Sequence, residues 1–259
     1  MKNSDLEELR EISLAVNRDE IYCLRPLEAE TVSRAVRKNG IVVFPRFLDE
    51  TALPLLNLEF DSMIDLHRTG DSPFATDSYG SMINVRVIRD HLDISKYGVL
   101  AHTFASPVMD AVAACYFGAG AYRLNGEIFV TELGEGMDSF AHPPFVLHFD
   151  KRQVLKFYFY LSDTDEKNGA MRATPGTNHV IRRLRLEAME RNNLEDIENV
   201  LSDEHVQSIP ISGPAGTLIV FDTDVAHGAG RVQSGLQRRT IRGHTHSNEM
   251  LRAMGLQAH

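Results

Sequence analysis

From residue 122 onward the chain is a series of short apolar runs, each closed within a few residues by glycine, proline or asparagine. That punctuation constrains the fold more than any other feature. Runs suited to β-strands cover 122–133, 145–150, 154–161, 205–209, 217–221 and 238–246. Gly134-Glu135-Gly136, Asn168-Gly169, Pro175-Gly176, Gly213-Pro214 and the stretch 228–230 supply turns between them. Short strands with few long helices among them lack the crossovers that a parallel sheet needs, so this half reads as an antiparallel sandwich or barrel.

The part before it, about 1–118, reads mainly helical. Leu6, Leu9, Ile12 and Val16 recur at helical spacing, and 27–38 is a helical pattern stopped by Asn39-Gly40. Residues 41–44, Ile-Val-Val-Phe, form a short buried strand closed by Pro45. A helix opening at 49–51 carries Leu53, Leu56, Phe60 and Ile64 on one face and runs to about His67; 107–117 is another short helix. Residues 69–81 are rich in Gly, Asp, Ser, Pro and Thr and read as a long loop of the kind that serves as a lid or binding segment. No linker or repeat divides the chain. The expectation is one domain over 1–259, mainly β with flanking α-helices, the helical part packed on a β core of about 120–248.

With 27 basic against 36 acidic residues the net charge is −9, the wrong sign for a sequence-independent grip on nucleic acid. Cys23 and Cys115, far apart, make neither a disulfide framework nor a zinc ribbon and read as reduced, buried thiols. The first residues are acidic where a signal peptide would be basic and apolar. The longest apolar stretches, 40–45 and 218–221, fall far short of a bilayer span. These features lead us to expect a cytoplasmic protein acting on a small molecule, without nucleic-acid or membrane partners; they leave the oligomeric state open.

The chemistry concentrates in Leu147-His148-Phe149-Asp150. Alternate side chains of a strand share a face, so His148 and Asp150 project together as two legs of a metal site. A third ligand must come from a distant strand end. The run 216–228 offers one, where an apolar strand passes through Asp222-Thr223-Asp224 and delivers His227 beside glycines. Two histidines and one carboxylate leave one face of an octahedral Fe(II) open, the arrangement of non-haem iron oxygenases. Eleven residues beyond His227 stands Arg238, with Thr240 on the same strand face. A guanidinium fork and a hydroxyl so placed suit the far carboxylate of a chelating keto acid.

These pieces together resemble the phytanoyl-CoA dioxygenase family of Fe(II)/2-oxoglutarate-dependent oxygenases. The resemblance rests on His148-x-Asp150, His227 and Arg238, on the run 156–163 through Asn168-Gly169, on Pro175-Gly176-Thr177-Asn178-His179, and on the opening Asn39 to Phe44; it spans about 27–246. It implies a double-stranded β-helix, or jelly roll, with His148, Asp150 and His227 holding Fe(II) and Arg238 anchoring 2-oxoglutarate. It further implies O2 as co-substrate, ascorbate as a reductant, release of succinate and CO2, and hydroxylation of a C–H bond as the default outcome. Halogenating relatives carry a small residue in place of the carboxylate ligand; Asp150 argues against that chemistry here.

Other residues have competing readings. Lys156 either points inward and takes part in co-substrate binding or is a strand-edge charge. Tyr158 and Tyr160 share its parity and suit core packing. His244 and His246 form an HxH pair on the parity of Arg238, the pattern of cupin-type metal sites. They are the alternative to the oxygenase reading, together with a non-catalytic jelly-roll binding protein. His142 sits in the loop before the metal segment. Arg86 and Arg89 suit either an exposed charged strand or recognition of an anionic substrate.

Overall fold

The computed structural model describes residues 1–255 except 24–26, 137–142, 192, 205 and 254, and only the backbone of 123–125 and 253. His142 therefore lies outside the described residues.

Local sequence sets the first elements. Helix α1 (Asn3–Leu14) is followed by α2 (Ala29–Asn39), which ends where Gly40 adopts φ 77° and returns its N–H to Val36. That left-handed cap is a conformation open to glycine and costly for other residues. Strand β1 (Ile41–Phe44) follows directly and is buried at every position because both of its faces are covered. Then come α3 (Ala52–Thr69), β2 (Ala75–Tyr79), β3 (Met82–Ile88), α4 (Ile94–Phe104) and α5 (Pro107–Phe117). The second half supplies β4 (Tyr122–Leu133), β5 (Leu155–Tyr160), β6 (Met171–Thr174), α6 (Asn178–Glu190), β7 (Ile209–Ile211), β8 (Leu218–Asp222), β9 (Ala226–Gly228), β10 (Arg238–Ser247) and α7 (Asn248–Ala253).

The strands form two antiparallel sheets. The larger has seven strands in the order β1-β8-β5-β10-β4-β3-β2, and the smaller has β7-β6-β9. The segment through His148 extends the smaller sheet by isolated bridges to His227 on one side and Val200 on the other. Two sheets face to face, with non-consecutive strands side by side, make the jelly roll that the resemblance implied, flanked by helices.

Four layers result. Outward-facing residues of the large sheet, among them Val42, Phe157, Phe159, Val220 and Ile241, pack against α2 to α5. Inward-facing Ile41, Val43, Tyr160 and Ile219 meet Met171, Ala173 and Ile211 of the small sheet. Leu9 of α1 and Val180 and Ile181 of α6 cover the back of the small sheet. Each fully buried Phe or Ile in these layers contributes roughly 1.5–3 kcal/mol over an exposed one.

Several expectations need correcting. The 69–81 segment is not all loop: 75–79 pairs with β3 as a hairpin at the sheet edge. The helical part thus contributes β1, β2 and β3 to the large sheet. Residues 145–150 form no continuous strand but are held by the bridges at His148. Of the strand expected at 205–209, residue 205 lies outside the described residues, and among the others the strand begins at Ile209. Helices α4 and α6, and strands β6 and β9, were not anticipated. Neither cysteine forms a disulfide, but Cys115 is exposed rather than buried, and Cys23 only half-buried. The stretch Ile94–Phe117 is long and apolar enough by composition to cross a membrane, although in the fold it is two helices meeting at Ser106, whose buried faces join the core.

Candidate metal centre and active site

His148, Asp150 and His227 converge. One ligand atom from each lies within 4.8 Å of the others, and no other such cluster occurs among the described residues. The backbone brings them together: His148 N–H donates to the His227 carbonyl at 2.8 Å, and His227 N–H returns the bond at 2.7 Å. Two extended segments locked in this way present both imidazoles side by side, their ring centroids 4.5 Å apart.

The ring orientations suit metal binding. His148 Nδ1 lies 2.9 Å from the Val146 carbonyl and His227 Nδ1 2.8 Å from the Val225 carbonyl. A carbonyl only accepts, so each Nδ1 carries the proton and each Nε2 keeps a free lone pair. Those Nε2 atoms face Asp150 Oδ1 at 3.6 and 3.7 Å. Burial first, and then the neighbouring His148, push the His227 imidazole down to about 3, so it is neutral and ready to ligate. For Asp150, burial opposes ionisation, but the Lys156 ammonium outweighs it and holds the carboxyl well below its usual range. The donor set and its tautomers fit a divalent iron.

Gly228, directly after His227, makes the approach possible. A Cβ there would stand 2.7 Å from the Val146 carbonyl oxygen, the same oxygen that orients His148.

The turn before His227 is held by charge. Asp222 and Asp224 are fully buried. Arg185 grips Asp224 through two bonds of 2.8 Å, and Arg182 reaches Asp222 at 2.7 Å and Asp224 at 3.2 Å. Both arginines come from α6. Thr223 then pins the metal segment, its carbonyl accepting from Asp150 N–H at 3.2 Å.

The triad opens into a cavity of about 350 Å³ that Lys156, Tyr158, Arg238 and Arg242 also line. Arg238 is buried at the start of β10, donates Nη1 to the Gly169 carbonyl, and has no partner for Nε among the described residues. A guanidinium with donors to spare in this cavity fits a carboxylate ligand. Lys156 does point inward, and its Nζ bonds Asp150 Oδ2 at 2.8 Å, leaving Oδ1 toward the histidines. Thr240 is buried on the same strand face, but its hydroxyl faces the Thr131 carbonyl at 3.4 Å, and it stands behind the cavity lining.

His244 and His246 lie deeper along β10 with rings 6.3 Å apart and gather no third ligand among the described residues. Tyr160 is core; Tyr158 is both core and cavity wall. Arg86 pairs with Glu127 on the surface, and Arg89 bonds Asp90 and the Phe104 carbonyl, so neither lines the metal cavity. Of the 69–81 segment, Asp77 and Tyr79 sit on the cavity rim. Sequence reasoning missed Arg242, although its parity with Arg238 was a usable signal.

A family profile described as Phytanoyl-CoA dioxygenase (PhyH) matches residues 36–240. No curated protein sequence matches the chain significantly. Among solved structures, the non-heme alpha ketoglutarate dependent carbocyclase SnoK from nogalamycin biosynthesis superposes with TM-score 0.61 at 19% identity, covering 85% of this chain and 86% of its own. The non-heme alpha ketoglutarate dependent epimerase SnoN, from the same biosynthesis, superposes with TM-score 0.59 at 17% identity over 86% and 84%. SnoN in complex with Fe3+, alpha ketoglutarate and nogalamycin RO gives TM-score 0.57 at 16% identity over 86% and 85%. At these identities the likeness is one of fold.

Proposed function

Since this chain belongs to the phytanoyl-CoA dioxygenase family, we propose that it is an Fe(II)- and 2-oxoglutarate-dependent oxygenase that hydroxylates an unactivated C–H bond of a small cytoplasmic metabolite. What carries this reading is the convergence of two Nε2 lone pairs and one carboxylate oxygen, with both histidine tautomers fixed, in a cavity that also holds a buried arginine. Iron bound there supplies O2 activation, coupled to decarboxylation of 2-oxoglutarate to succinate and CO2.

The chain's own part is to hold, orient and exclude. His148, His227 and Asp150 through its Oδ1 would hold the iron and are in that sense the catalytic residues. Lys156 neutralises Asp150 Oδ2 and thereby favours single-oxygen ligation over a chelating carboxylate. Arg238 receives the far carboxylate of 2-oxoglutarate, and Thr240 backs the same wall. Asp77 and Tyr79 of the β2–β3 hairpin form part of the rim through which a substrate would enter.

The test is reconstitution with Fe(II), ascorbate and 2-oxoglutarate. Wild type should release succinate and, without oxygen, show the visible charge-transfer band of an iron–keto-acid chelate. His148→Ala should lose both. Absence of the band and of succinate in wild type would refute the oxygenase reading. With substrate, a product one oxygen heavier supports hydroxylation; an unchanged mass or the loss of two hydrogens replaces it with epimerisation or ring closure, the chemistries named for SnoN and SnoK.

A further inference from the structure

Arg242 shares the cavity with the metal centre and has no role in it so far. Its guanidinium lies over the ring of Phe129, 4.4 Å from the centroid. Nη1 donates to Thr131 Oγ1 at 2.8 Å and Nη2 reaches Asn84 Oδ1 at 3.5 Å. Thr131 Oγ1 in turn donates to Asn84 Oδ1 at 2.6 Å, so the two partners brace one another. Both are uncharged. Among the described residues no carboxylate lies in ion-pair range of Arg242, whereas Lys156, the neighbouring cation, has Asp150.

A guanidinium keeps its charge, and a charge lodged in a protein wall without a counter-ion is expensive. Burial first, with the like charge of Arg238 also contributing, pushes the Arg242 guanidinium below its ordinary value. The co-substrate does not relieve it. The dication of the metal and the dianion of 2-oxoglutarate cancel, and Asp150 is matched by Lys156. That leaves Arg238 and Arg242 against the rim carboxylate Asp77, a net of one positive charge on the cavity lining.

Position indicates what matches it. Asp77, Asn84 and Thr131 stand in one register row that runs inward from the exposed edge strand β2. Arg242 therefore faces the mouth side of the cavity, whereas Arg238 is tied to Gly169 in the turn before β6. A guanidinium held over an aromatic ring, braced by neutral acceptors and left with free donors, suits an oxyanion.

We propose that Arg242, fixed by Thr131, Asn84 and Phe129, is the specificity-determining residue of this cavity and takes the carboxylate or phosphate group of an anionic substrate. The inference rests on the oxygenase reading for what happens to that substrate, and on the cavity alone for the anion site.

The test uses the full-length protein saturated with Mn(II) and 2-oxoglutarate, titrated calorimetrically with benzoate, phenyl phosphate and the neutral benzamide. Wild type should bind one of the two anions at least ten-fold more tightly than benzamide, and the better anion identifies the group. Arg242→Gln should lose ten-fold or more of that affinity while its 2-oxoglutarate affinity changes less than two-fold. Asn84→Asp, which keeps the arginine but gives it an internal carboxylate, should lose anion binding as well, so that a misfolded Arg242 variant does not decide the matter. Arg238→Gln should show the reverse pattern, losing 2-oxoglutarate and keeping the anion. Equal binding of charged and neutral probes, or loss of 2-oxoglutarate rather than anion in Arg242→Gln, overturns the proposal. If wild type fails to bind 2-oxoglutarate but retains Arg242-dependent anion selectivity, the oxygenase reading falls and the anion site stands.

Discussion

Removing Arg185 tests how firmly the turn before His227 is fixed. Asp224 is fully buried and accepts two 2.8 Å bonds from Arg185, itself buried, leaving a single 3.2 Å contact from Arg182. In Arg185→Met the carboxylate keeps its burial and loses its main partner. Breaking a buried pair from one side costs about 3–5 kcal/mol, and the surviving Arg182 contact places the expected loss near the lower end, about 3 kcal/mol. For a chain of this length that is roughly 6–12 °C in Tm. The consequence reaches the site, because Asp224 is three residues from His227 and Thr223 bonds the metal segment. Metal affinity should fall along with stability. Urea unfolding of the metal-free protein gives the first quantity, and Mn(II) titration the second. Arg185→Met combined with Asp224→Leu should recover most of the stability, since the cost lies in the orphaned charge and not in the missing contact. A single variant destabilised by less than about 1 kcal/mol, or a double variant no better than the single, refutes this account.

Two further outcomes follow from the site. His227 is pushed down to about 3, and His244 and His246 are also lowered, burial being the leading cause in each. In the unfolded chain these imidazoles titrate near 6.5, so below that pH the unfolded state takes up protons the folded state refuses. Stability of the metal-free protein is then complete above about pH 6.5 and declines toward acid by about 1.4 kcal/mol per pH unit for each histidine. For His227 that decline continues to about pH 3. Urea midpoints at pH 7 and pH 5 measure it, and equal midpoints would contradict neutral, buried imidazoles. Gly228→Ala drives a methyl to 2.7 Å from the Val146 carbonyl, so the carbonyl must move and His148 loses its orienting acceptor. The expected result is a stability loss of about 1–3 kcal/mol and metal binding weaker by about 10–100-fold. Unchanged Mn(II) affinity in that variant would show the segment to be more yielding than its hydrogen bonds imply.

What could be read from the sequence and what could not divide along a physical line. β4 and β1 were legible to the residue because their patterns are local: a long alternating run, and a continuous apolar run between a glycine cap and a proline. β2 escaped because all five of its residues are exposed; it exists through backbone pairing with β3, and a strand with no buried face has no alternation to detect. α6 escaped for the opposite reason. Its inner face sets buried Arg185 and half-buried Arg182 against two aspartates, breaking the hydrophobic pattern that Val180 and Ile181 begin. His148 and Asp150 reach the same cavity even though their segment forms only bridges, since extended backbone alternates its side chains whether or not a full ladder forms.

The same division runs through the site. Each metal ligand announces itself within a few residues of chain, by the HxD spacing or by a histidine set among glycines. The anion receptor does not. Arg242 is one of three arginines in the first half of β10, and only the register that sets Phe129 opposite it and Thr131 and Asn84 in the next row separates it from Arg239, which pairs with Asp61. Register is a property of strand pairs and not of any one strand, so in a jelly roll the reacting centre can be read from single segments while the selectivity of its cavity requires the assembled sheet. Chains sharing the metal triad can therefore take unrelated substrates, with the difference carried by residues such as Asn84 and Arg242.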